Sequence, residues 1–144
     1  MQQKPGNPIV VARIIWAALL MGELTFMMIA LTIGQDKSAP TPDATTIRMI
    51  LIVACVMFAT AIPIGYFIRG MVYRKGRIDG QLAPQAYVTG NIILWALCEG
   101  TAFFGLVGVF TSHTIGPHLI VAIAAMAVQA INFPTGAPLR NSQL

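Results

Sequence analysis

Two glutamates, Glu23 and Glu99, stand inside hydrophobic runs long enough to cross a bilayer, while the other charges fall at run ends or in connections. An ionisable side chain at that depth costs on the order of 3 kcal/mol or more to insert, which makes each carboxyl a candidate functional group. Two kinds of chemistry fit: reversible binding of a proton or cation, or hydrogen bonding that holds helices together. At about 1.5 Å per helical residue, both carboxyls lie about 20 Å from the inner boundary of their runs. Low dielectric and a neighbouring like charge both favour the neutral acid. At least one of the two is therefore expected to be protonated at neutral pH, and the pair to titrate as a unit.

Few polar residues are in a position to assist them. Trp16 precedes Glu23 by seven residues and Trp95 precedes Glu99 by four, spacings that share a helix face. Trp16 suits an interfacial anchor, whereas the deeper Trp95 needs an acceptor for its N–H. Arg48 is the cation nearest in depth, with a choice between reaching the carboxyls and snorkelling outward. Thr25, Thr60 and Thr101 are candidate hydrogen-bond donors, although a helical threonine often bonds its own backbone. Gln129 is expected nearer the inner side, with a different partner.

The elements that must position these groups follow from composition. The chain has 144 residues, of which 56% are hydrophobic and 10% charged. Soluble domains carry about 25% charged residues, so this is expected to be an all-α membrane protein. Four runs are long enough to span a bilayer, 9–33, 47–68, 86–110 and 115–133, and they leave no room for a soluble domain. Residues 1–144 form a single integral membrane domain, a four-helix transmembrane bundle. The first run exceeds the apolar core of a signal peptide and is read as retained. Lys4, Arg13, Arg69, Arg74, Lys75, Arg77 and Arg140 fall on one side, and Lys37 and Arg48 on the other. That asymmetry puts both termini in the cytoplasm, with a basic inner loop over 70–84 and an outer loop over 35–46. Lipid headgroups account for the basic charge, and no nucleic acid is expected.

The runs pair into two tandem helical hairpins. At one constant offset Ile14, Ile15, Ala18, Leu19, Gly22 and Phe26 align with Ile92, Ile93, Ala96, Leu97, Gly100 and Phe104. The second and fourth runs share Pro63-x-Gly65 and Pro134-x-Gly136 near their ends. Ala18 with Gly22, and Ala96 with Gly100, make small-xxx-small faces expected to pack the first and third spans together. Ala122, Ala124, Ala125 and Ala127, with Gly105 and Gly108, offer further thin surfaces. The tail over 135–144 is expected to be loose. Cys55 and Cys98 read as packing residues, and His113 and His118 as interfacial ones. No metal set, cofactor motif or nucleophile–base pair is present, so no enzyme is expected.

The stretch Asn91-Ile-Ile-Leu-Trp-Ala-Leu-Cys-Glu99-Gly-Thr-Ala-Phe-Phe-Gly-Leu-Val107 resembles the ion-carrying helix of rotary ATPase proteolipid (c) subunits. The resemblance implies that Glu99 binds and releases a proton or cation within an oligomer. The whole chain looks like uncharacterised bacterial four-span membrane proteins, which implies the bacterial inner membrane. Two functions are expected on these grounds. One is proton or cation carriage by Glu99 assisted by Glu23, in a homo-oligomer or larger membrane complex. The alternative is a non-transporting accessory or assembly subunit whose glutamates are hydrogen-bonding groups between helices.

Overall fold

The computed structural model describes residues 7–33, 42–113 and 115–140. It is an all-α bundle of α1 (Pro8–Ile33), α2 (Ala44–Lys75), α3 (Pro84–Ser112), α4 (Gly116–Ile131) and the short α5 (Ala137–Arg140). A two-stranded hairpin, β1 (Arg77–Ile78) with β2 (Gln81–Leu82), lies between α2 and α3. Helices α1, α2 and α3 are long and apolar enough to cross a membrane.

Local chemistry sets the helix ends. The Asp43 carboxylate accepts the Thr46 N–H (2.9 Å) and the Thr46 hydroxyl (2.9 Å), capping α2. Those bonds hold the exposed Asp43 carboxyl below its ordinary pKa. Pro84 and Pro117 open α3 and α4, where a missing N–H costs nothing. His113 ends α3 in a left-handed conformation (φ 51°).

Three expectations change. The fourth apolar run forms only a 16-residue helix, about 24 Å long against about 30 Å of hydrocarbon. The expected inner loop over 70–84 is largely absent, because α2 runs past Pro63 through Lys75 before the tight hairpin at Asp79 and Gly80 (φ 51° and 80°). The tail is docked as far as it is described. Pro134 and Gly136 are buried, Arg13 Nε donates to Pro134 O (3.3 Å), and Gly136 N donates to the Tyr87 hydroxyl (3.1 Å). Residues 34–41, which hold most of the expected outer loop, and 141–144 lie outside the described residues.

Helix α3 is the hub. Half of its most apolar stretch is buried, against 11% for α1 and for α2. Around it α1 seats Ala12, Ile15 and Trp16 near Tyr87 and Trp95, α2 seats Phe58 and Ile62 near Leu94 and Cys98, and α4 seats Ala122 and Ala125 near Leu106 and Ala102. The small-xxx-small faces lie elsewhere. Ala18, Gly22, Ala96 and Gly100 are all exposed, and a Cβ at Gly22 or Gly100 would meet open space. Within one copy, α1 and α3 meet through larger side chains on the adjoining faces, including the Phe26 and Phe103 rings edge to face at 5.1 Å. The close backbone approach occurs between α3 and α4 instead. A Cβ at Gly105 would come within 3.0 Å of Ala122 N, and one at Gly108 within 2.4 Å of His118 Nδ1. His118 is thus fully buried on a glycine face, not interfacial.

Candidate functional site

Helix α1 turns Ala12, Glu23 and Ala30 inward, and Glu23 is fully buried. It faces α4, where Ala122, Ala125 and Gln129 recur at helical spacing on the buried side. Gln129 is fully buried as well. With its amide nitrogen turned toward the two acceptors it faces, Gln129 donates to Glu23 Oε1 (3.0 Å) and to Trp95 O (3.2 Å). One amide therefore ties α1, α3 and α4 at a single point. The other carboxylate oxygen, Glu23 Oε2, is buried with no hydrogen-bond partner.

Glu99 is placed differently. It lies half-exposed on α3, beside the exposed Ala96 and Gly100, and within electrostatic reach of Glu23. One of the two carboxyls is thus sealed and the other lies at an outer edge. The other expected assistants do not join them. Arg48 is exposed near the start of α2, and among the described residues it makes no ion pair with either glutamate. The Thr25 and Thr101 hydroxyls donate to Met21 O and Leu97 O, each at 2.8 Å within its own helix. Thr60 does the same toward Val56 O.

Both tryptophans serve the end of α4. Trp16 Nε1 donates to Gln129 O (2.9 Å), and the fully buried Trp95 donates through Nε1 to Asn132 O (3.1 Å). These bonds satisfy carbonyls at and just beyond the helix terminus, where α-helical partners run out. Trp16 is therefore a structural clamp, set edge-on to Phe133 at 5.0 Å, and not a free interfacial anchor. Asn132 continues the network: its Oδ1 accepts from Arg69 NH1 (2.9 Å), and its Nδ2 donates to Val128 O (2.8 Å) and to the Tyr66 hydroxyl.

Gln129 is expected to have a different partner, and the structure gives it Glu23. It sits in the last turns of α4, which ends at Ile131, and its side chain reaches both the Glu23 carboxyl and the Trp95 carbonyl. The signal was available in Ala122-x-x-Ala125-x-x-x-Gln129, which puts the amide on the small face that approaches α3.

Compared with known proteins, the chain matches no family model, no curated protein and no solved structure. The arrangement itself must carry the chemistry. Among the described residues no three His, Cys, Asp or Glu side chains converge as a metal set, and both cysteines are free. What remains is a carboxyl held by one amide, with one oxygen available, next to a second carboxyl at the bundle's edge.

Proposed function

We propose that this is a small integral membrane protein of the bacterial inner membrane in which Glu23 and Glu99 form a proton- or cation-binding pair, working in a homo-oligomer or larger membrane complex. The observation that carries the reading is the fully buried, unpartnered Glu23 Oε2. A carboxylate needs partners for both oxygens when water is excluded. One that has Gln129 on Oε1 and nothing on Oε2 is completed by a proton or a cation. Glu99, half-exposed and within electrostatic reach, gives that charge a place to exchange with the surroundings. The resemblance of the third span to proteolipid helices implies Glu99 as the primary carrier. The hydrogen-bond geometry favours Glu23 as the holding site and Glu99 as the exchanging one. The charge asymmetry of the sequence supports cytoplasmic termini.

A second reading has its own observation. Gln129 joins Glu23 to the Trp95 carbonyl, so Glu23 also serves as a polar tie between helices, as an accessory subunit would require.

Labelling with a hydrophobic carbodiimide in native membranes, read by intact mass across pH, separates the two. The reagent attacks protonated carboxyls that it reaches from lipid. The first reading expects labelling at Glu99 that fades as pH rises, at a pH that moves when Glu23 is changed to Gln. A Glu99 profile identical in wild type and Glu23→Gln, or no labelling at any pH, would leave only the tie.

A further inference from the structure

A cavity of about 330 Å³ opens at the end of the bundle where the basic residues cluster, away from the carboxyl pair. Arg69, Tyr73, Tyr87, Asn91, Asn132 and Thr135 line it together with apolar side chains of the docked tail, and no acidic residue is among them. Its hydrogen-bonding capacity is unbalanced. The Tyr73 hydroxyl accepts from Asn91 Nδ2 (2.8 Å), the Tyr87 hydroxyl from Gly136 N (3.1 Å) and the Thr135 hydroxyl from Ala137 N (3.3 Å). Each accepts one bond there and keeps its own O–H to donate.

Arg69 adds charge to that surplus. Its guanidinium spends one N–H on Asn132 and lies over the Tyr66 and Tyr73 rings at 5.0 and 5.9 Å, without a carboxylate partner among the described residues. The two rings and Asn132 hold the group in place. Donors and one fixed positive charge, with no competing anion, call for a ligand rich in acceptors and negatively charged.

Depth points the same way. From Arg48 to Arg69, α2 covers about 31 Å, close to the roughly 30 Å of a hydrocarbon core. On the membrane reading given above, this places Arg69 and the cavity at headgroup level.

We propose that this cavity binds a phosphate group, with Arg69 as its charged anchor and the Tyr73 and Tyr87 hydroxyls as directing donors. Phosphate chemistry reaches the site either on a lipid headgroup or as a free ion. The two sources differ in the tails that would lie along the apolar outer surface of α2 and α4.

The test uses the full chain purified in a maltoside detergent, with native mass spectrometry as the readout. Three probes are titrated: dioleoyl phosphatidylglycerol, dioleoylglycerol with the same tails and no phosphate, and inorganic phosphate. Phosphatidylglycerol retained at least about tenfold more tightly than dioleoylglycerol, with Arg69→Gln removing that margin, is the expected result. Saturable inorganic phosphate binding that is lost in Arg69→Gln supports the same site with the free ion as ligand. Should Arg69→Gln not fold, Tyr73→Phe keeps the ring under the guanidinium and removes one O–H, with an expected loss of about fivefold. Equal retention of the two lipids without phosphate binding, or phosphate-probe retention unchanged in a folded variant, overturns the proposal. The pH profile of Glu99 labelling is independent of either outcome, so failure here does not touch the carboxyl pair.

Discussion

The two glutamates invert the order that their helices suggest. Glu99 belongs to α3, the hub of the bundle, yet it lies half-exposed at an edge. Glu23 belongs to α1, an outlying helix with only 11% of its most apolar stretch buried, yet Glu23 itself is fully enclosed. Helix burial sets how much apolar surface is hidden, but a carboxyl goes where a donor waits for it. For Glu23 that donor is Gln129 on α4, and among the described residues no side chain donates to Glu99. The comparison shows that one correctly placed amide outweighs the general burial of a helix, because an unsatisfied polar group in an apolar interior costs on the order of 1–3 kcal/mol.

The contrast breaks if removing the two carboxyls has equal effects. Glu23→Ala leaves a cavity and strands the Gln129 amide, and is expected to destabilise the bundle by about 3 kcal/mol, read as a lowered melting midpoint in detergent. Glu99→Ala is expected to cost less than about 0.5 kcal/mol, as at a site without a partner to strand. Gln129→Leu sharpens the same point from the other side, at about 2 kcal/mol, and in Glu23→Gln most of that cost should remain coupled to the amide at position 23 in a double-mutant cycle. Trp95→Phe removes a single N–H bond to Asn132 O and should cost about 1 kcal/mol. A pH-dependent effect belongs to the exposed carboxyl, Asp43. Its folded pKa is depressed by the Thr46 bonds. Its contribution is present above the ordinary carboxyl pKa and fades as pH falls through the depressed folded value. Asp43→Ala should therefore lower the melting midpoint at neutral pH and lower it less in acid.

Much of the fold was legible because it follows from run length and hydropathy alone. The three long apolar helices follow from counting. The errors share one cause: position along an apolar run was read as though it fixed a residue's neighbours and a helix's end. That reading gave Gln129 a partner other than Glu23 and His118 an interfacial place, whereas both are fully buried and Gln129 meets Glu23. It also made a loop of 70–84, because Arg69, Arg74 and Lys75 end an apolar run without ending a helix. The small-xxx-small faces were found correctly as faces but not as contacts. Helical spacing says which residues share a side, and cannot say which neighbour that side meets. For α3 the thin surface that mattered was Gly105 and Gly108, where His118 and Ala122 lie against the backbone.

The shortness of α4 has a consequence for the membrane itself. Three helices are longer than a hydrocarbon core and a fourth is about 6 Å shorter, so on the membrane reading proposed above no single bilayer thickness matches all four. On that reading lipid compresses beside α4 or protein flanks it, and each ångström of hydrophobic mismatch costs a fraction of a kcal/mol. Gln129 lies within one turn of the end of that short helix, so on the same reading a thinner bilayer would bring headgroups closer to it. Acyl-chain length would then act on the amide that holds Glu23.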